Sequence, residues 1–257
     1  LSDAPALEPH VNYYQRMLAE DQDEGEEIVE DYLEDHSAAE LYDKVLIPAL
    51  SQAKSDRRRG QLTARDEQAV YQCTRAILED VQDREDPSAP NKAAASTEQE
   101  TFPPEIVRVL GLPADGTADE VALLALEKIL DSRRCKMDVV AADMLAAEMV
   151  SLVDTKQPRL VCIAATAPGG LARARYLCKR IRARFPEVRI LIGRWPLSGN
   201  LDSIRASLTS AGADRIAGTL LETRDQLLPL VQLKPNDHNP APFVESQPDC
   251  DDRDVSS

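Results

Sequence analysis

The stretch Leu112-Pro113-Ala114-Asp115-Gly116-Thr117-Ala118-Asp119-Glu120 sets three carboxylates and a hydroxyl just ahead of a strongly helical run, Val121 to Leu130. In an open α/β sheet, ligands lie beyond the carboxyl ends of the strands, where the next helix offers free backbone N–H groups. Asp115, Gly116 and Thr117 are therefore candidate ligand-facing residues. A phosphate here would be repelled by Asp115, Asp119 and Glu120, which instead suit the positive end of a helix. With no His, Cys or Lys in the turn, it offers no proton shuttle, thiolate or amine nucleophile.

Further candidates stand at later strand ends: Thr166, the loop Ala167-Pro168-Gly169-Gly170, and Gly193-Arg194-Trp195. Gly169 lets a backbone approach a ligand, although Pro and Gly also serve as plain turn residues. An enzyme on this sheet would need Asp115, Thr166 and Arg194 to converge, and their spacing does not require it. Five cysteines, Cys73, Cys135, Cys162, Cys178 and Cys250, are scattered without a C-x-x-C pair and read as incidental thiols in a reducing compartment. His10, His36 and His238 lie in a leader, at a helix boundary and in the tail, so neither a zinc site nor a Ser/His/Asp triad assembles easily. No metal site and no catalytic residue is expected.

The elements that must position these residues follow from period and composition. From Val11 to about Arg84, Leu41, Val45 and Ala49, then Val70, Cys73, Ile77 and Val81, mark helical faces. Ser37 with Glu40 and Thr63 with Asp66 read as N-terminal caps. Breaks near Gly25, His36-Ser37 and Arg59-Gly60 predict about four helices packed as a bundle over residues 1–84. Residues 85–102, rich in Ala, Ser and Pro, read as a flexible linker, and 234–257 as a disordered acidic tail. In between, over 103–233, short apolar runs at 106–110, 137–140, 160–164, 189–193 and 215–217 alternate with helical stretches at 119–132, 141–155, 171–185 and 201–211. That alternation predicts a five-stranded parallel, flavodoxin-like sheet.

The 257 residues are 43% hydrophobic and 29% charged, and no apolar run approaches the roughly 20 residues that span a bilayer. The chain opens at Leu1 without a signal-peptide pattern, which suggests a fragment or processed product. Of the net charge of −15, residues 1–100 hold −14 (10 Lys+Arg against 24 Asp+Glu) and the remainder −1 (20 against 21). Such acidity argues against nucleic acid. The basic run Arg173, Arg175, Lys179, Arg180, Arg182, Arg184, Arg189 and Arg194 has three readings: a solvated helix face, a surface docked on the acidic stretch Glu20 to Glu34, or a contact with anionic lipid headgroups.

A helical bundle followed by a flavodoxin-like domain resembles the paired modules of cobalamin-binding proteins. The phrases Leu41 to Leu50 and Arg59-Gly60-Gln61-Leu62-Thr63 with Glu67 carry the helical cadence of that family. The family pattern D-x-H-x-x-G, aligned on Asp115, places Thr117 where the cobalt-ligating His belongs and Glu120 at the Gly. The S-x-L element falls on Ala164-Ala165-Thr166-Ala167 and the Gly pair on Gly193-Arg194-Trp195, so a tunnel for the nucleotide tail would have to pass Arg194 and Trp195. The cap positions for a Trp and an acid-His pair hold Arg57, Glu67 and Gln68. The resemblance thus implies a retained fold whose cobalt site has decayed or been converted. No cofactor is expected; cobalamin bound with its own base on cobalt is the alternative.

The phrases VNYYQRMLAEDQDEGEEIVEDYLEDHSAAELYDKVLIPALSQAKSDRRRGQLT and ARYLCKRIRARFPEVRILIG are similar to the soluble C-terminal extension of some permeases of the autoinducer-2 exporter family. That resemblance implies a non-catalytic sensor or regulatory domain at the cytoplasmic face of the inner membrane, partnered by the transmembrane part of the same transporter. A corrinoid methyl carrier or cobalamin-dependent sensor is the second expectation. A phosphoacceptor receiver is disfavoured, since the third strand ends at Thr166 and the fifth runs into Gly218-Thr219, where an Asp and a Lys would be needed.

Overall fold

The computed structural model describes residues 8–84, 106–196 and 201–232. The stretches read as linker and tail, with His238 and Cys250, lie outside the described residues.

The helical half runs α1 (Pro9–Leu18), α2 (Gln22–Asp35), α3 (Ala38–Leu41), α4 (Ile47–Arg58) and α5 (Ala64–Arg84). Local chemistry sets most of its boundaries. Pro9 opens α1, where its missing N–H costs nothing, and the Asp21 side chain caps α2 at the Glu24 N–H. Ser37 and Glu40 form a reciprocal box, and Thr63 and Asp66 exchange bonds of 2.9 and 3.2 Å in the same way. Between α3 and α4 the chain stays helical but widens into a π-turn, Tyr42–Leu46. Pro48 explains it: a proline in the second position of α4 has no N–H to give and its ring crowds the preceding turn.

One predicted boundary is wrong. Gly25 does not break a helix but sits buried inside α2, and the chain turns earlier, at Ala19-Glu20. Its role is packing: a Cβ at Gly25 would lie 2.0 Å from the Met17 methyl, so its small size lets α2 close on α1.

The second half alternates β1 (Val107–Pro113), α6 (Thr117–Ile129), β2 (Cys135–Val139), α7 (Ala146–Lys156), β3 (Leu160–Ala164), α8 (Leu171–Arg184), β4 (Arg189–Gly193), α9 (Leu201–Thr209), β5 (Arg215–Ala217) and α10 (Leu220–Gln232). All strands are parallel, in the order β2-β1-β3-β4-β5. This is the flavodoxin-like winding, with its switch point between β1 and β3. β1 reaches three residues past its predicted end. α7 starts five residues later than predicted, because the N–H of Ala142 is drawn to Glu120 Oε2 at 2.7 Å rather than into a helix. α10 adds a helix to those predicted for this half.

Helices cover both faces of the sheet, as its nearly unbroken burial requires. α7, α8 and α9 pack on one face through Leu110, Val161, Ile163 and Ile192. α6 packs on the other through Val109, Cys162 and Leu191, and there one continuous core runs into the bundle through Tyr13, Tyr42 and Leu50. Burial pushes the thiols of Cys135 and Cys178 up to about 11 and that of Cys162 up to about 12, so these three act as small apolar side chains.

Candidate functional site

At the switch point the last residues of β1 and β3 lie side by side, Pro113 opposite Ala164. Two residues further on, Asp115 and Thr166 therefore rise together above the sheet. α6 begins directly after Gly116, whose φ of 103° makes the sharp turn, and this places Asp119 one turn into the helix, fully buried. One Asp119 oxygen accepts the Asp115 N–H at 2.7 Å. The other accepts the Thr166 N–H at 2.9 Å and the Thr166 hydroxyl in a short bond. A single carboxylate thus ties the two strand-end loops together.

The charge of that carboxylate is met from the bundle. Lys54, on α4, reaches over the crevice and is itself buried. Its ammonium lies 3.4 Å from Asp119 and 3.4 Å from Asp115, and donates to the Thr166 carbonyl at 3.2 Å and its hydroxyl at 3.3 Å. A buried lysine is costly unless paired and hydrogen-bonded, and both conditions hold here. Around it, Ser51 donates to the Ala167 carbonyl at 2.7 Å, and Asp43 accepts the Leu220 N–H at 2.5 Å, capping α10 from the bundle. Burial raises the Asp43 carboxyl above its ordinary value, against the pull of those backbone donors. At the rim, Arg75 of α5 pairs with Glu120 at 2.5 Å.

The end of β4 is filled as well. Trp195 is fully buried, with its indole N–H on Thr223 at 2.8 Å. Its ring covers Gly193 so closely that a Cβ there would lie 2.1 Å from it. Arg194 turns the other way, donating to the carbonyls of Ala165 and Gly169 at 2.7 and 2.6 Å, while its Nε has no partner among the described residues. Burial lowers the Arg194 pKa, a loss that Asp119 opposes. Gly169 has a φ of 88° and lies beneath the Arg58 guanidinium.

Of the candidate residues, Asp115, Thr166, Gly169 and Arg194 thus gather at the strand ends, beside Gly116. Thr117 opens α6 and enters none of these bonds. The predicted cap residues do not join the cluster: Arg57 faces Glu67 at 3.9 Å, Glu67 accepts the Tyr71 hydroxyl at 2.7 Å, and Gln68 is exposed. Burial and the Glu67 carboxylate push the Tyr71 phenol well above its ordinary value.

The sequence reading missed Lys54 and gave Asp119 only the role of a helix-end charge. A signal existed: Ile47, Leu50 and Lys54 fall at i, i+3 and i+7 on one buried stripe, where a lysine needs an acidic partner. The basic run is also corrected in part. Arg173 pairs with Asp115, Arg182 and Arg189 with Asp214, and Arg184 with Asp154, so none of these four docks on the acidic bundle helices. Among the described residues, no group of His, Cys, Asp and Glu has the arrangement of a metal site, and no helix is long and apolar enough to cross a membrane.

No family model matches the sequence, and neither does any curated protein. Among solved structures, the chain is similar to the monomethylamine corrinoid protein of Methanosarcina barkeri, with 12% identity over 85% of this chain and 96% of that one and a TM-score of 0.54. It is also similar to a cobalamin-binding protein from Desulfitobacterium hafniense, with 12% identity, the same coverage and a TM-score of 0.39. At such identity the likeness to the corrinoid protein is one of fold: a helical bundle joined to a five-stranded parallel α/β domain.

Proposed function

We propose that this chain is a non-catalytic regulatory domain that keeps the cobalamin-binding fold while its own side chains occupy the crevice. The observation that carries this reading is Lys54, buried across the switch point with Asp119, Asp115 and Thr166 as partners. A ligand entering between bundle and sheet would have to break that ion pair and strand a buried carboxylate. The Thr166 and Ser51 hydroxyls are committed to Asp119 and to a carbonyl, and among the described residues no histidine bonds either. Thr117, at the position the resemblance gives to the cobalt-ligating His, agrees with a converted site. The similarity of its phrases to the extension of autoinducer-2 exporter permeases supports placing the domain on a membrane transporter, where a bundle clamped on an α/β domain offers two positions that a signal can bias.

The test is a titration with hydroxocobalamin and adenosylcobalamin, followed by gel filtration read across the visible corrin bands. The expected result is colourless protein, for the wild type and for Lys54→Ala alike. The second reading, a base-on cobalamin protein, rests on the fold likeness to the corrinoid protein. Colour co-eluting with the wild type would establish it and sink the first. For the transporter role, the chain fused behind the transmembrane helices of such a permease should alter transport when Lys54 is replaced; unchanged transport would count against it.

A further inference from the structure

α2 and α8 are both 14 residues long and opposite in charge: α2 carries eight carboxylates and no cation, and α8 six cations and no carboxylate. The fold keeps them apart. α8 packs with α7 on one face of the sheet, while the bundle that contains α2 shares its core with the other. An intramolecular contact between them is therefore closed off.

Part of each helix is already committed: Arg173, Arg182 and Arg184 of α8 hold ion pairs, and Glu24 of α2 pairs with Arg16. Arg175, Lys179 and Arg180 remain exposed and make no ion pair among the described residues; Arg180 lies 5.8 Å from the centre of the Tyr176 ring, which is 50% exposed. On α2, Glu27, Asp31 and Glu34 are exposed at i, i+4 and i+7, also without an ion pair among the described residues. Arg175 to Lys179 and Glu27 to Asp31 are each one helical turn, about 6 Å, so the two stripes match in pitch as well as in sign.

We propose that the α8 face of one copy docks on the α2 face of another, head to tail. Each copy offers both faces, so the contact is heterologous and continues past the dimer unless it closes into a ring. The α2 stripe matches α8 in both sign and pitch, whereas an anionic membrane matches it in sign alone.

The experiment is sedimentation velocity on the full chain across a concentration series. In about 20 mM salt the mean mass should rise with concentration to at least twice 28.3 kDa, and it should fall back in about 0.5 M salt as the screening length shrinks roughly fivefold. R175E/K179E/R180E and E27K/D31K/E34K should each stay monomeric in low salt, and an equimolar mixture of the two should associate again. All six positions are exposed, so the circular dichroism of both variants should overlay the wild type. A wild type that stays monomeric in low salt, or one whose association survives either reversal, overturns the proposal. So does a monomer that sediments with phosphatidylcholine vesicles carrying about 30% phosphatidylserine and loses that binding in R175E/K179E/R180E, which would assign α8 to the membrane instead.

Discussion

Lys54 and Arg75 carry positive charge from the same bundle to neighbouring acids on the same helix, Asp119 and Glu120, and water reaches the two pairs very differently. The Lys54 and Asp119 side chains are 7% and 0% exposed, those of Arg75 and Glu120 39% and 16%. Arg75 holds the shorter contact, 2.5 Å against 3.4 Å, yet distance does not decide which matters more to stability. Partly exposed Arg75 can be replaced by water and salt when it is removed, whereas buried Lys54 cannot. The buried pair also sits among backbone groups of two loops, so its loss unsettles Asp115 and Thr166 as well. One interface thus contains a contact that fixes the relative position of its halves and another that only edges it.

The sharpest test of that difference is Lys54→Ala, which leaves the Asp119 carboxylate buried without its ion-pair partner. Chemical denaturation should show a loss of about 3–5 kcal/mol, the usual cost of breaking one side of a buried pair. Lys54→Met combined with Asp119→Asn removes both charges and should recover most of that loss; equal destabilisation by the double variant would mean that packing, not charge, dominates. Gly193→Ala comes next, since its methyl must displace the Trp195 ring. A cost of about 1–3 kcal/mol is expected, together with a red shift in the emission of the chain's one tryptophan.

Arg75→Ala should cost at most about 1 kcal/mol, and that cost should vanish in high salt, because the pair is partly exposed and Glu120 keeps its bond from Ala142. A loss comparable to that of Lys54→Ala would break the comparison. The smallest effect concerns the Glu40 box, which shares no bond with either pair. Lys44 and the Ser37 donors lower the Glu40 carboxyl from 4.5 to about 2. A lowered folded-state value gives stability that is fully present above the unfolded value and is lost as pH falls through the folded one. The gap between wild type and Glu40→Gln should therefore be constant near neutrality and close between pH 4.5 and about 2, read from thermal midpoints.

How much of this was legible in the sequence varies with the range of the interaction. The Ser37 and Thr63 caps, the helical faces at Leu41-Val45-Ala49 and Val70-Ile77-Val81, and the alternation of strands with helices were readable because each rests on residues within one or two turns of one another. The Gly25 break was misread because a glycine in a helical pattern reads the same whether it ends the helix or admits a neighbour; only the Met17 side chain, on another helix, tells the two apart. Asp115, Thr166 and Arg194 could be named as strand-end residues, but their convergence needed the β1–β3 pairing.

Sequence alone determined the two architectures and the acidity of the first hundred residues, since composition and short-range period fix these. Tertiary structure decided what fills the crevice. Lys54 lies 65 positions before Asp119 and 112 before Thr166, and no local pattern reports a partner so distant. Burial, which makes that ion pair obligatory, exists only once the bundle has closed over the ends of the strands.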